Sequence, residues 1–418
     1  MLKITTLPSG LRVATFKIDR RLAKLVVIFS TGRRFETEEE TGISHFLEHI
    51  LFTGTKNYPS PKEVKDSVES LGGSIGGSTY TEFTRYDVEI LSEYINQGVR
   101  TLQEMVTKPL LKVEDIAKQK TIISHELKGY IDDPEDYASR SLNQLLWPNQ
   151  QLDYSIEEEL ENIPNITRKS LHEYLSKHYQ TSRAVICAVG NIEHEKFVKI
   201  VIQEFKDLPT GNSTVKFSSG ESKYPTTRFV VRDTKRLNLK IVYYAPSIHT
   251  SDRYAIHIMR DLLSKRLREE IRYKRGLIYG INTRYIAYQD TGELSINVGV
   301  ESGNVEPVVN LIFQEVEKMK DTIPTHTELL GAKARASSGL ARLSETVFGL
   351  GSDLSYRILF DIKPLNPLEE DALFSEVSDK QVNKVAKDIF SKEFKVFGIG
   401  PEKDIKTLEN LYGQKKPK

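Results

Sequence analysis

The sequence predicts an α+β chain of two structurally similar domains, each a mixed sheet covered by helices. Three observations carry this. Strand-like and helix-like stretches come in blocks rather than in strict alternation. An apolar β-rich run, "LAKLVVIFSTGRR" (Leu22 to Arg34), has a counterpart in "LNLKIVYYAPSIH" (Leu237 to His249), and each leads through a turn into a helical stretch. Between the halves, residues 208–227 read "LPTGNSTVKFSSGESKYPTT", a Gly-, Ser-, Thr- and Pro-rich composition expected of a linker. The 418 residues exceed one ordinary core. The expected division is a first domain over 1–210, a linker over 211–227 and a second domain over 228–418.

In chain order, "MLKITTLPSGLRVATFK" alternates like a strand from its first residues, and Leu22 onward continues the strand block. Amphipathic spacing predicts helices over 61–71, 94–106, 113–130 and 156–178, and "AVICAVGNI" closes the first half as a strand. The second half repeats the plan, with helices over 252–274, 304–320, 326–345 and 379–391 before the strand-like "FKVFGIGP".

Composition narrows the function classes. Hydrophobic content of 39% and charged content of 28% describe a soluble globular chain. With 59 basic and 58 acidic residues, nothing suggests a nucleic-acid or membrane-surface partner. The single cysteine, Cys187, sits in an apolar run and reads as a buried strand residue, which leaves no disulfide and no cysteine-based zinc cluster. No run reaches transmembrane length, and the N-terminus has neither an apolar signal core nor an Arg-rich presequence, so the expected compartment is the cytoplasm.

The stretch "TGISHFLEHILFTGT" (Thr41 to Thr55) concentrates two of the chain's 9 histidines. Ile43, Phe46, Leu47, Ile50 and Leu51 recur at helical spacing, so His45 and His49 project from one helix face with Glu48 beside them. Two imidazoles and a nearby carboxylate suit a zinc site with a general base. The bland alternative is a pair of hydrogen-bonded core histidines. The second half has no such motif in "RYAIHIMRDLLSKRLREEI", so one zinc per chain is expected. A third ligand must come from elsewhere. The stretch "DIAKQKTIISHELKGYIDDPED" offers His125 or Glu126, which face about 100° apart on a helix, and spacing does not choose between them. Asp132, Asp133, Glu135 and Asp136 read as a solvated loop past the helix end.

The motif H-x-x-E-H, inverted relative to the commoner H-E-x-x-H, resembles that of the zinc peptidases of the pitrilysin and mitochondrial processing peptidase type, and the likeness runs nearly the length of the chain. The resemblance implies a zinc endopeptidase whose two domains form a half-clamshell. His45, His49 and Glu126 would be the ligands and Glu48 the general base. It gives "GGSIGGSTYTEFTRY" as the substrate-pairing strand, with Gly76, Gly77, Ser78 and Thr79 beside the zinc. A phosphate-loop reading of those glycines fails, because no Lys-Ser/Thr follows. Arg272 and Tyr279 would hold substrate carbonyl oxygens from the other subunit of a homodimer, or of a heterodimer with a paralogue. Taken alone, Arg272 reads as part of a basic helix end capped by Gly276. Three positions depart from the family pattern. Gln119 stands where a glutamate usually supports the site, and Gly76-Gly77 replace Asn-Ala. A rival reading is therefore an inactive zinc-binding assembly subunit. An enzyme acting on phosphate esters would need further acidic metal ligands that the sequence does not offer.

Overall fold

The computed structural model describes residues 1–211 and 215–412. Residues 212–214 of the expected linker lie outside the described residues. Two compact units result, one from residues 1–128, 157–216 and 342–366, the other from 129–156, 217–341 and 367–418. Packing thus divides the chain differently from a single cut at 211–227. A stretch of each half joins the unit built mainly from the other.

The first unit holds β1 (Leu2–Thr6), β2 (Arg12–Lys17), β3 (Leu22–Phe29), β4 (Ser74–Thr79), β5 (Thr84–Leu91) and β6 (Ala184–Gly190), in the order β1-β2-β6-β3-β5-β4. β2 and β6 are parallel, and the other neighbours are antiparallel. β3 and β6 occupy the middle and are buried on both faces, which explains their apolar runs, broken in β3 only by Lys24, a buried lysine paired with Asp87. Cys187 is among them, as expected, and burial pushes its thiol up to about 12. Around this sheet lie α1 (Ile43–Ile50), α2 (Pro61–Glu69), α3 (Ile95–Thr107) and α4 (Val113–Asp132).

The second unit holds β7 (Thr227–Val231), β8 (Arg236–Ala245), β9 (Ile278–Ala287), β10 (Gly292–Glu301) and β11 (Phe394–Gly400), in the order β7-β11-β8-β10-β9. Leu237, Leu239, Ile241, Tyr243 and Ala245 alternate along β8 and enter one apolar core. Here β11 pairs parallel to β7 and antiparallel to β8. Omitting β1, the first sheet has the same topology strand for strand: β2, β6, β3, β5 and β4 correspond to β7, β11, β8, β10 and β9. The repeat in sequence is a repeat of fold.

Three expectations need correction. The helix predicted over 156–178 is two helices, Ile156–Asn162 and Arg168–His178. Pro164 lies in the turn between them, and Thr167 starts the second with a capping box. The helix expected over 252–274 is regular only over Arg253–Leu267, then widens into a π-type turn, Arg268–Tyr273. The acidic stretch read as a solvated loop is a helix start: the Asp133 carboxylate accepts the N–H groups of Glu135 and Asp136 and caps Pro134–Arg140.

Candidate metal centre

Helix α1 begins at Gly42, whose φ of 84° is the left-handed conformation that glycine adopts without strain. With no side-chain cap of its own, the helix start borrows one: Glu36 accepts the N–H groups of Gly42 and Ser44 at 2.8 and 2.9 Å. Burial pushes the Glu36 carboxyl up to about 7. Ile43, Phe46, Leu47 and Ile50 are buried and anchor the helix, so the remaining face presents His45, Glu48 and His49.

His45 and His49 are joined by Glu126 of α4, and a ligand atom from each lies within 4.8 Å of the other two. Glu126 Oε1 is 3.7 Å from His45 Nε2, and Oε2 is 3.4 Å from His49 Nε2. Tetrahedral zinc with bonds of about 2.0–2.1 Å separates its donors by roughly 3.3 Å. The donor set and spacing therefore fit zinc. Of the two alternatives left open by the sequence, Glu126 turns toward the histidines, whereas His125 is exposed.

Around these three lie the groups that orient them. His45 is 5% exposed, and its Nδ1 lies 2.6 Å from the Oε1 of Glu159, a fully buried carboxylate. Burial lowers the His45 pKa and the Glu159 carboxylate raises it, leaving the ring above the ordinary histidine value. At His49 burial acts first and the His45 charge second, so its pKa is lowered, although a hydrogen bond with the Gln119 side chain works the other way. Glu48 is half-buried and leans against β4: a Cβ built on Gly77 would sit 3.1 Å from Glu48 Cγ and 3.0 Å from Phe52 Cε2. Thr79 Oγ1 donates to the Ser44 carbonyl at 3.3 Å, tying the same strand to the helix. Gly76, by contrast, faces open space, and Ser78 Oγ turns back to the Gly77 carbonyl. β4 is the terminal strand of its sheet.

Arg272 and Tyr279 form a pair in the second unit. Gly276, at φ 67°, closes the π-type turn with its N–H on the Arg272 carbonyl, as the helix-cap reading expects. The Arg272 guanidinium lies 5.3 Å from the centre of the Tyr279 ring, and the ring is 71% exposed.

Family models match two adjoining stretches of the chain. Residues 12–160 match "Insulinase (Peptidase family M16)" and residues 165–336 match "Peptidase M16 inactive domain". The chain belongs to peptidase family M16. Among its relatives, the uncharacterized zinc protease YmxG of Bacillus subtilis is 26% identical, over 96% of this chain and 98% of the relative. The mitochondrial-processing peptidase subunit beta of Blastocladiella emersonii is 24% identical over 96% of this chain and 88% of its own. In fold, a protease from Helicobacter pylori matches with a TM-score of 0.88 at 20% identity, covering 96% of this chain and 100% of the other. A peptidase M16 inactive domain from Pseudomonas fluorescens matches with a TM-score of 0.89 at 20% identity, covering 96% and 98%.

Sequence reasoning missed Glu159. It lies in the run "SIEEELENI", where three consecutive glutamates look like an ordinary solvated acidic helix start. Only packing singles out the one that turns inward.

Proposed function

We propose that the chain is a zinc-dependent endopeptidase acting on peptides or unfolded polypeptide segments. The observation that carries this reading is the donor set of His45, His49 and Glu126 with Glu48 on the same helix, beside a terminal β-strand. Bound zinc would supply Lewis acidity to a water and a substrate carbonyl held there. His45 and His49 hold the ion through Nε2, and Glu126 through its carboxylate. Glu48 takes a proton from the attacking water and returns it to the departing amine, which keeps the hydrolysis balanced. The edge of β4 binds the substrate backbone by strand addition, so extended peptides fit and compact proteins do not. Arg272 and Tyr279 donate to substrate carbonyl oxygens, and the catalytic form is a homodimer or a heterodimer enclosing a chamber.

The rival reading, an inactive zinc-binding assembly subunit, draws on Gln119 and Gly76. Zinc content and cleavage of an unstructured peptide separate the two. Wild-type protein should hold near one equivalent of zinc, and chelation should stop cleavage. Glu126→Gln should lose the metal. Glu48→Gln should keep it while turnover falls on the order of a hundredfold or more. Near-wild-type cleavage by Glu48→Gln would overturn the mechanism, and zinc binding without cleavage by the wild type would favour the assembly subunit.

A further inference from the structure

We infer that Glu159 is a positioning residue for the metal centre, supplying through His45 the carboxylate that Gln119 does not supply through His49; this rests on the zinc reading above. A metal-bound imidazole commonly gives its second N–H to a carboxylate, which fixes tautomer and ring angle and makes the ligand nitrogen more basic. Two side chains could serve that end here. Gln119 reaches His49, but an amide brings no charge. Glu159 reaches His45 Nδ1 at 2.6 Å with a side chain that is 0% exposed. With Nδ1 donating to Glu159, the lone pair of His45 is left on Nε2, the nitrogen that faces Glu126.

The surroundings fit a carboxylate at this place. Burying an anion is costly without opposite charge, and the Arg33 Nε stands 3.8 Å from the second oxygen, Oε2. Room for the side chain comes from Gly42: a Cβ there would lie 2.6 Å from Glu159 Cγ. The residue that starts α1 thus also leaves space for the group that orients the first histidine of α1. With Glu48 and Glu126, Glu159 makes a third carboxylate around the site, against the proposed dication and Arg33 beside Glu159.

The test is zinc affinity, measured by competition with a chromophoric chelator, together with melting temperature with and without zinc. Glu159→Gln keeps the shape and removes the charge. It should weaken zinc binding by about 10- to 100-fold and shrink the rise in melting temperature on zinc loading. A merely structural glutamate would lower both melting temperatures together and leave that increment intact. Adding Gln119→Glu to Glu159→Gln should recover most of the lost affinity by placing a carboxylate on the other histidine. Affinity in Glu159→Gln within twofold of wild type would overturn the inference, and failure of wild-type protein to bind zinc would overturn the zinc reading itself. Gln119→Glu alone provides a check that does not depend on Glu159→Gln folding. With His45 already supported, it should strengthen zinc binding by less than threefold, and a tenfold gain would show that the wild-type site lacks such a carboxylate.

Discussion

At His178, burial, the Arg183 guanidinium and Lys177 together hold the imidazole down to about 3, so it stays neutral across the physiological range. Its Nδ1 accepts from Arg183 Nη1 at 3.0 Å, an interaction that a protonated ring could not make. The sign of the linkage follows. The unfolded chain takes up a proton near pH 6.5 and the folded one only near 3, so the stability tied to this group is full above pH 6.5 and drains away as pH falls toward 3. At about 1.4 kcal/mol per pH unit, the loss at pH 5 is on the order of 2 kcal/mol. Urea unfolding at pH 7 and pH 5 should show a smaller difference for His178→Gln, which keeps an acceptor for Arg183 but does not titrate. An equal difference in both proteins would place the acid sensitivity elsewhere.

Among the elements, β4 has two adjacent glycines that the sequence treats alike and the structure does not. A Cβ at position 77 would meet Phe52 and Glu48 at 3.0 and 3.1 Å, whereas one at position 76 would meet nothing within 4 Å. Gly77→Ala should cost about 1–3 kcal/mol by overpacking and displace the Glu48 side chain. Gly76→Ala should be neutral or stabilise by up to about 1 kcal/mol, because it removes freedom from the unfolded chain. Thermal unfolding of the two variants, with peptide turnover, measures both; equal effects would mean that β4 does not press on α1. The same contrast explains how far the sequence could be read. Ile43 to Leu51 announce their helix and its histidine face by periodicity, and the apolar runs of β3, β6 and β8 announce buried strands, because each pattern is local. Pro164 and the Thr167 cap are equally local, but the apolar spacing on either side of them runs on as if the helix were continuous. Glu159 and the choice of Glu126 over His125 depend on which side chain a remote helix turns inward. No stretch of sequence carries that.

For the whole molecule, the two sheets share one strand topology, but only the first unit carries the histidine motif, on α1. If Arg272 and Tyr279 of the second unit serve a partner chain's zinc, two inactive homodimers should complement each other. Glu48→Gln and Arg272→Ala, co-expressed in equal amounts, place one intact site in each mixed dimer and restore about a quarter of wild-type sites, by counting within two-fold symmetry. Peptide cleavage by the co-expressed pair is the measurement. Verified mixed dimers without rescued activity would confine the pair to its own chain.

The first unit is closed by residues far down the chain. Helix Val347–Leu359 packs on β3 and β6, with the Phe348 ring 4.0 Å from Lys24 Nζ. The Arg12 guanidinium donates to the carbonyl of Ile358 at 2.6 Å and to Asp361 at 3.0 Å. During synthesis the histidines emerge from the ribosome some three hundred residues before that helix does. The nascent first unit must therefore wait, with the middle of its sheet uncovered, until that helix has been made. A ribosome that stalls midway releases a fragment whose sheet lacks the helix over its middle, so the unit that carries the histidines can finish its core only after Val347–Leu359 has been made.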